Sequence, residues 1–328
     1  MKQLVTQFPI QIEEAVKIAK QSTYSFYENK DFDHVVICGM GGSGIGGKLV
    51  AQLFEKESKI PIVLVQDYSI PGFVNEKTLV ISSSYSGTTE ETLSVIEFAE
   101  SKGATIVGVS SGGDLIKLCR EKGYDYVELP SGNPPRSMLA FSSIQLIKIL
   151  HVAGIVKNNF FTELENSAQT LKKDIENIQS QAKELANLFF KKQGIIYSDA
   201  EREVVALRAR QQFNENSKQL VWHHVIPEMN HNELVGWGGG NDGYAVVFFV
   251  SQFLSKRNLF RTSLCSEIIR KKTPHVMEIN GKGDSVIEEN LYFIHIIDWT
   301  SIYLADLNQQ DAVEVKVIDY LKSNLNKE

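Results

Sequence analysis

The sequence predicts an α/β protein of two lobes, each a mainly parallel sheet flanked by helices. Two observations lead there. Short β-branched runs alternate with longer amphipathic segments through the first half, and the same theme returns after a polar, helical stretch in the middle of the 328 residues. His34–Cys38 (HVVIC), Pro61–Val65 (PIVLV), Thr78–Ser82 (TLVIS) and Ala104–Val109 (ATIVGV) read as buried parallel strands. Glu90–Ser101 has apolar positions at helical spacing. A turn cluster at Ser131–Arg136 (SGNPPR) breaks the alternation, and a helix over about 137–152 follows. Thr162–Lys191 reads as one long, charged surface helix bridging to the second lobe. That lobe is expected to hold a strand at Gly194–Tyr197, a helix over Glu201–Lys218 and a strand at Tyr244–Val250. A helix over Arg257–Arg270, a strand at Leu291–Ile297 and two closing helices complete it. The boundary is placed near residue 155, giving lobes of 1–154 and 155–328.

Apolar residues make up 43% and charged residues 23%, ordinary values for a globular chain. The net charge of −6 speaks against a nucleic-acid partner. A small anionic substrate stays open, because a few aimed donors reverse the local potential. Cys38, Cys119 and Cys265 are far apart, odd in number and form no CxxC pair, so neither a disulfide framework nor a thiolate metal site is expected. The N-terminus shows no targeting segment, and the most apolar run, Tyr244–Leu254, is too short to span a bilayer. A cytoplasmic protein with no membrane partner is expected.

Two loops look built for a phosphate. The first strand runs into Gly39-Met40-Gly41-Gly42-Ser43-Gly44, where glycines at a strand-to-helix turn let backbone N–H groups approach an anion. The spacing also fits a dinucleotide fingerprint, with Asp67 after the next strand as the ribose-binding acid, so a nicotinamide oxidoreductase competes. Glycines serving only tight helix-on-sheet packing are the plainer alternative. The second loop, Ser82–Glu90 (SSSYSGTTE), again follows a strand and opens a helix. Its clustered hydroxyls at a helix N-terminus suit a phosphomonoester without any lysine, and a dinucleotide site needs no second loop of this kind. An ordinary N-cap cluster would explain one hydroxyl, not several.

In order along the chain, ICGMGGSGIGG, SSYSGTTEET, GNPPR, NENSK and PEMNHNE resemble the bifunctional phosphoglucose/phosphomannose isomerase family of the sugar isomerase (SIS) superfamily. The resemblance implies two SIS lobes, a homodimer, a hexose 6-phosphate substrate and an aldose–ketose isomerisation without metal or nucleotide cofactor. It implies that Gly42, Ser43, Ser84, Ser86 and Thr89 contact the substrate, the second-loop hydroxyls holding its phosphate.

Such a reaction needs a base that moves a proton between neighbouring carbons through an enediol, ring-opening groups, and a donor near the enediolate oxygen. Residue chemistry alone leaves Glu215 a helix-face glutamate; the NENSK match implies that it is the base. Asn230 and Glu233 have capping-box spacing, which places His231 in the first turn of a short helix, where the dipole favours a neutral imidazole. The resemblance implies that His231 opens the ring in the active site of the partner subunit. It implies that Arg136, behind two prolines, stabilises the enediolate, and that a lysine of the last helix, Lys322 or else Lys316, assists ring opening. Asp311–Val315 departs from the family pattern, which leaves glucose-type isomerisation better supported than mannose-type. His223, His224 and His231 with Glu228 and Glu233 are dense enough to suggest a metal, but Pro227 denies them a shared helix face. Trp222 and Trp237 read as core or interface aromatics. An SIS-type sugar-phosphate sensor without turnover is the alternative from another class; amide transfer lacks a glutaminase segment.

Overall fold

The computed structural model describes residues 1–28, 30–157 and 160–325. Two compact units form, one of Gln7–Gln169 and one of Met1–Thr6 with the chain from Thr170 onward. The short helix α1 (Lys2–Thr6) goes with the C-terminal unit.

The N-terminal unit begins with α2 (Phe8–Gln21), whose Phe8, Ile12, Ala15, Val16 and Ala19 recur at helical spacing and are buried. There follow β1 (His34–Cys38), α3 (Gly41–Phe54), β2 (Ile62–Val65), β3 (Thr78–Ser83), α4 (Glu90–Ser101), β4 (Thr105–Ser110), α5 (Gly113–Lys122), β5 (Asp125–Glu128), α6 (Leu139–Val152) and α7 (Phe160–Lys173). The five strands are parallel in the order β2-β1-β3-β4-β5. Every residue of β3 and β4 is buried, as expected of strands covered on both faces. Val36, Val80 and Ile106 pack with Val95, Ile96 and Ala99 of α4 and Leu115 of α5. Ile37 and Leu64 instead meet α3, so near Gly47 that a Cβ there would lie 2.9 Å from each.

The C-terminal unit continues with α8 (Ile175–Phe189), β6 (Gln193–Asp199), α9 (Glu203–Ser217), β7 (Val221–Ile226), α10 (Glu233–Gly236), β8 (Tyr244–Val250), α11 (Lys256–Arg270), β9 (Val276–Asn280), α12 (Val286–Leu307) and α13 (Lys316–Leu325). Its four strands are parallel in the order β7-β6-β8-β9. Helix α12 packs against both α8 and α9.

Three expectations are corrected. The strand expected at Leu291–Ile297 is the middle of α12, buried all round, and such a helix presents the same unbroken apolar run as a buried strand. The missed signal lay upstream. Ser285 caps α12 by accepting from the Glu288 N–H, while Glu288 reaches back to the Asp284 N–H. The single helix over Thr162–Lys191 is two helices parted at Asp174, whose carboxylate accepts from the Tyr292 hydroxyl at 2.7 Å and Lys282 Nζ at 2.8 Å. Nor are these surface helices, since Leu164, Ala168, Ile178, Ala182 and Leu185 are buried. Strands β5 and β9 escaped the sequence because they are edge strands with exposed or half-exposed polar positions.

Among the described residues no helix is long and apolar enough to cross a membrane. The three cysteines are free and buried, and burial pushes the Cys38 and Cys119 thiols up to about 11, which removes them as nucleophiles near neutral pH.

Burial holds His295, inside α12, down to about 3. The folded protein thus keeps it neutral where the unfolded chain protonates it near 6.5, so between those limits the unfolded state binds more protons and acid favours unfolding. By this group alone, stability at pH 5 is expected to fall by about 2 kcal/mol relative to neutral pH. Urea denaturation of the protein and His295→Leu across this range checks it: the variant should lose that part of the pH slope.

Candidate active site

The order of the N-terminal sheet reverses between β1 and β3, and ligands of open parallel sheets bind outside the carboxyl ends of the strands at such a point. Both motif loops leave the sheet there. Behind β1 the glycines are explained first by packing. A Cβ on Gly39 would lie 2.6 Å from the Ser83 carbonyl oxygen, and one on Gly44 would lie 2.5 Å from Gln66 Nε2. A Cβ on Gly42 would lie 2.7 Å from the Pro135 carbonyl oxygen and 3.0 Å from the Arg136 nitrogen. Gly42 is thus where the start of α3 meets the GNPPR segment. Asp67, the acid a dinucleotide site would need, accepts from the adjacent Tyr68 N–H at 2.7 Å.

Sequence reasoning missed the residue that gathers the loops. The Tyr85 N–H donates to Ser43 Oγ at 3.0 Å. Its carbonyl accepts from the Ser111 N–H at 3.0 Å and from Ser111 Oγ at 2.6 Å. Its hydroxyl donates to the Pro130 carbonyl at 2.8 Å. The loops after β1, β4 and β5 are all fastened to one residue of the loop after β3. An aromatic amid hydroxyl residues was the available clue.

Within the second loop the hydroxyls divide the work. Ser84 Oγ is buried, lies 2.7 Å from Thr89 Oγ1 and accepts from the Gly87 N–H at 3.1 Å. Ser86 and Thr88 are exposed, and Ser86 Oγ accepts from the Thr88 N–H at 3.3 Å. Thr89 stands at the N-cap of α4, yet its side chain makes no capping bond. The same holds for the residues at the N-caps of α3 and α5, Met40 and Gly112. Three helix N-termini with partial positive charge therefore lie at the carboxyl end of the sheet without a side-chain cap, that of α5 partly satisfied by the Gly87 carbonyl, which accepts from the Leu115 N–H at 2.9 Å. In the C-terminal unit Ser255 and Ser285 cap α11 and α12 by accepting from a following N–H, and Asp199, ending β6, caps a 3₁₀ turn over Ala200–Arg202, while α9 behind that turn has no side-chain cap.

Arg136 is buried, only 5% exposed, in a 3₁₀ turn over Pro135–Ser137. The structure thus brings Gly42, Ser43, Ser84, Ser86, Thr89 and Arg136 to one end of one sheet. Gly42, Ser43 and Ser84 hold the loops together, and Ser86 presents an exposed hydroxyl.

The remaining candidates lie in the C-terminal unit. Glu215 is half-buried in the last turn of α9. The positions Arg208, Gln212 and Asn216 follow at intervals of four on one stripe of that helix. Arg208 Nη2 donates to both oxygens of Asp298 at 3.0 and 2.9 Å, and Gln212 Nε2 donates to Asp298 Oδ1 at 2.7 Å. Asn216 Nδ2 donates to Ser301 Oγ at 2.9 Å. This buried ladder to α12 fixes the helix that carries Glu215. His231 is exposed and ends a 3₁₀ turn over Glu228–His231. The capping residue is Asn232, one position beyond His231, so His231 precedes the four-residue α10 rather than entering its first turn, and the dipole argument does not apply. Lys316 and Lys322 are exposed on α13. Among the described residues no three His, Cys, Asp or Glu side chains are grouped to hold a metal ion.

Both parallel-sheet units are of the sugar isomerase (SIS) class. A model of the SIS domain matches residues 29–121, and a model of the bacterial phospho-glucose isomerase C-terminal SIS domain matches residues 178–325. The chain belongs to the bifunctional phosphoglucose/phosphomannose isomerase family. It is 35% identical to the member from Caldicellulosiruptor bescii over 99% of this chain and 98% of that one. Identity to the member from Aquifex aeolicus is 33%, over 96% and 99%. The C-terminal domain of glucosamine-fructose-6-phosphate aminotransferase from Francisella tularensis superposes with a TM-score of 0.78 at 13% identity, covering 96% of this chain and 98% of that one. Tagatose-6-phosphate ketose/aldose isomerase from Escherichia coli gives 0.69 at 13%, covering 95% and 94%. These two likenesses speak to fold.

Gly87 tests the second loop. Its φ is +71°, and a Cβ would stand 1.8 Å from the Gly112 carbonyl oxygen. Gly87→Ala is expected to displace the loop and weaken a phosphomonoester by about tenfold or more. Calorimetric titration with inorganic phosphate and hexose phosphate checks this; an unchanged Kd would remove the loop from the site.

Proposed function

We propose that the protein interconverts glucose 6-phosphate and fructose 6-phosphate, and mannose 6-phosphate with fructose 6-phosphate, through an enediol. One observation carries the phosphate part of this reading: the N-termini of α3 and α4, without side-chain caps, lie with the exposed Ser86 hydroxyl at the carboxyl ends of the neighbouring strands β1 and β3, a ready site for a dianion. The names of the related proteins supply the substrate pair.

In this reading the Ser86 and Thr89 hydroxyls and the start of α4 hold the phosphate, within a frame kept by Gly42, Ser43 and Ser84. Glu215 takes the proton from one sugar carbon and returns it to the next, a task for which a carboxylate fixed on a rigid helix is suited. Arg136 carries a permanent charge that lowers the energy of the enediolate. His231 opens the ring in the site of the partner subunit of a homodimer, which its exposure permits, and Lys322 or Lys316 assists. The chemistry calls for neither metal nor nucleotide. The two catalytic lobes are taken as residues 1–154 and 155–328, and the setting as cytoplasmic, in keeping with free, buried cysteines.

A coupled assay with glucose 6-phosphate and with mannose 6-phosphate, each in EDTA, tests the reading. Turnover of at least one is expected, and Glu215→Gln should lower kcat by about 10²–10⁴-fold while KM changes little. Full turnover by Glu215→Gln would remove it as the base. Binding of hexose phosphate without turnover in the unaltered protein would make it a sensor.

A further inference from the structure

We infer that Lys218 is a positioning residue for the isomerisation: its ammonium ties the last turn of α9, which carries Glu215, to the turn that launches α13, which carries Lys316 and Lys322. The inference rests on the catalytic roles proposed above for those residues.

The first sign is in the backbone. Lys218 follows α9 in the left-handed region, with φ 52° and ψ 37°. A Cβ is disfavoured there, and glycine or asparagine is the usual residue at a helix end of this kind. A lysine in that position calls for a use of its side chain, and the side chain has one. Nζ donates to the carbonyl oxygens of Glu215, Asp311 and Glu314, each at 2.8 Å. An ammonium has three donors, and these three bonds employ them all. A cation that merely neutralised the negative end of its own helix would bond only last-turn carbonyls. Two of these acceptors instead lie 93 and 96 residues farther along the chain.

The far end of the tether is a compact turn. The Val313 N–H donates to Asp311 Oδ1 at 2.8 Å, the Lys316 N–H donates to Glu314 Oε1, and the Ile318 N–H donates to the Val315 carbonyl at 2.8 Å. Helix α13 itself buries no residue, and Val317 and Tyr320 are 82% and 72% exposed. With so little packing of its own, α13 takes its place from the turn before it, and Lys218 holds that turn. The bonds run to carbonyls, so the side chains at 311 and 314 remain free to close the turn while the main chain is gripped.

Lys218→Gly is the discriminating variant, because glycine keeps the left-handed helix end and removes the tether. It is expected to lower kcat for hexose phosphate by about 10–100-fold with KM changed less than about threefold, as for a displaced catalytic group. Amide exchange over 311–325 should accelerate, while exchange in β1, β3 and α4 stays as before. Lys218→Arg, which returns a cation with several donors, should recover part of the loss. A Lys218→Gly protein with kcat within about twofold of the unaltered one, or with unchanged exchange over 311–325, overturns the inference. If the unaltered protein turned over no hexose phosphate, the functional reading would fail, and the exchange measurement would still decide the tether.

Discussion

The site of the N-terminal unit depends on a single residue using all three of its polar groups at once. Tyr85 spends its N–H on Ser43, its carbonyl on Ser111 and its hydroxyl on Pro130. Each bond is of ordinary strength, about 1 kcal/mol net. Their effect comes from shared geometry, because no one of the three neighbouring loops can shift without straining the others. Burial raises the Tyr85 phenol above its ordinary range, which favours the protonated form that donates to Pro130. Glycine at 42 and 87 completes the arrangement by letting main chain touch main chain.

The two units share a layout of parallel strands leading into helices but differ in how the helix ends are satisfied. After β8 and β9 the chain supplies its own acceptors from Ser255 and Ser285, and Asp199 caps the 3₁₀ turn ahead of α9. After β1, β3 and β4 it supplies none from a side chain at the cap. At α5 the main chain serves instead, the Leu115 N–H donating to the Gly87 carbonyl at 2.9 Å.

Much of this was legible in the sequence, and the failures have definite causes. The buried strands β1, β3, β4 and β8 declare themselves because burial on both faces demands consecutive apolar residues. The hydroxyl loop stands out because no ordinary cap needs so many alcohols, and it lies between β3 and α4 as its pattern predicts. The middle of α12 misled because total burial erases periodicity, leaving only its capping box as a marker. The role of Tyr85 was hidden because it acts mainly through main-chain atoms, which every residue has. Glu215 could not be told from a solvated helix glutamate, since the ladder that fixes its helix needs Asp298 and Ser301, some ninety residues away. Lys218 was invisible for the same reason.

That ladder has a further consequence. Its rungs are unlike one another, an ion pair, an amide and an alcohol, so only one alignment of α9 on α12 lets all of them close. Sliding by one helical turn, about 5.4 Å, would set a guanidinium against the wrong rung and leave a carboxylate stranded in the interior, at a cost of several kcal/mol. An apolar seam would tolerate such a slip far better, because one leucine is much like the next. The polar seam works as an indexing stop that sets the register of the helix carrying the carboxylate one residue before Asn216.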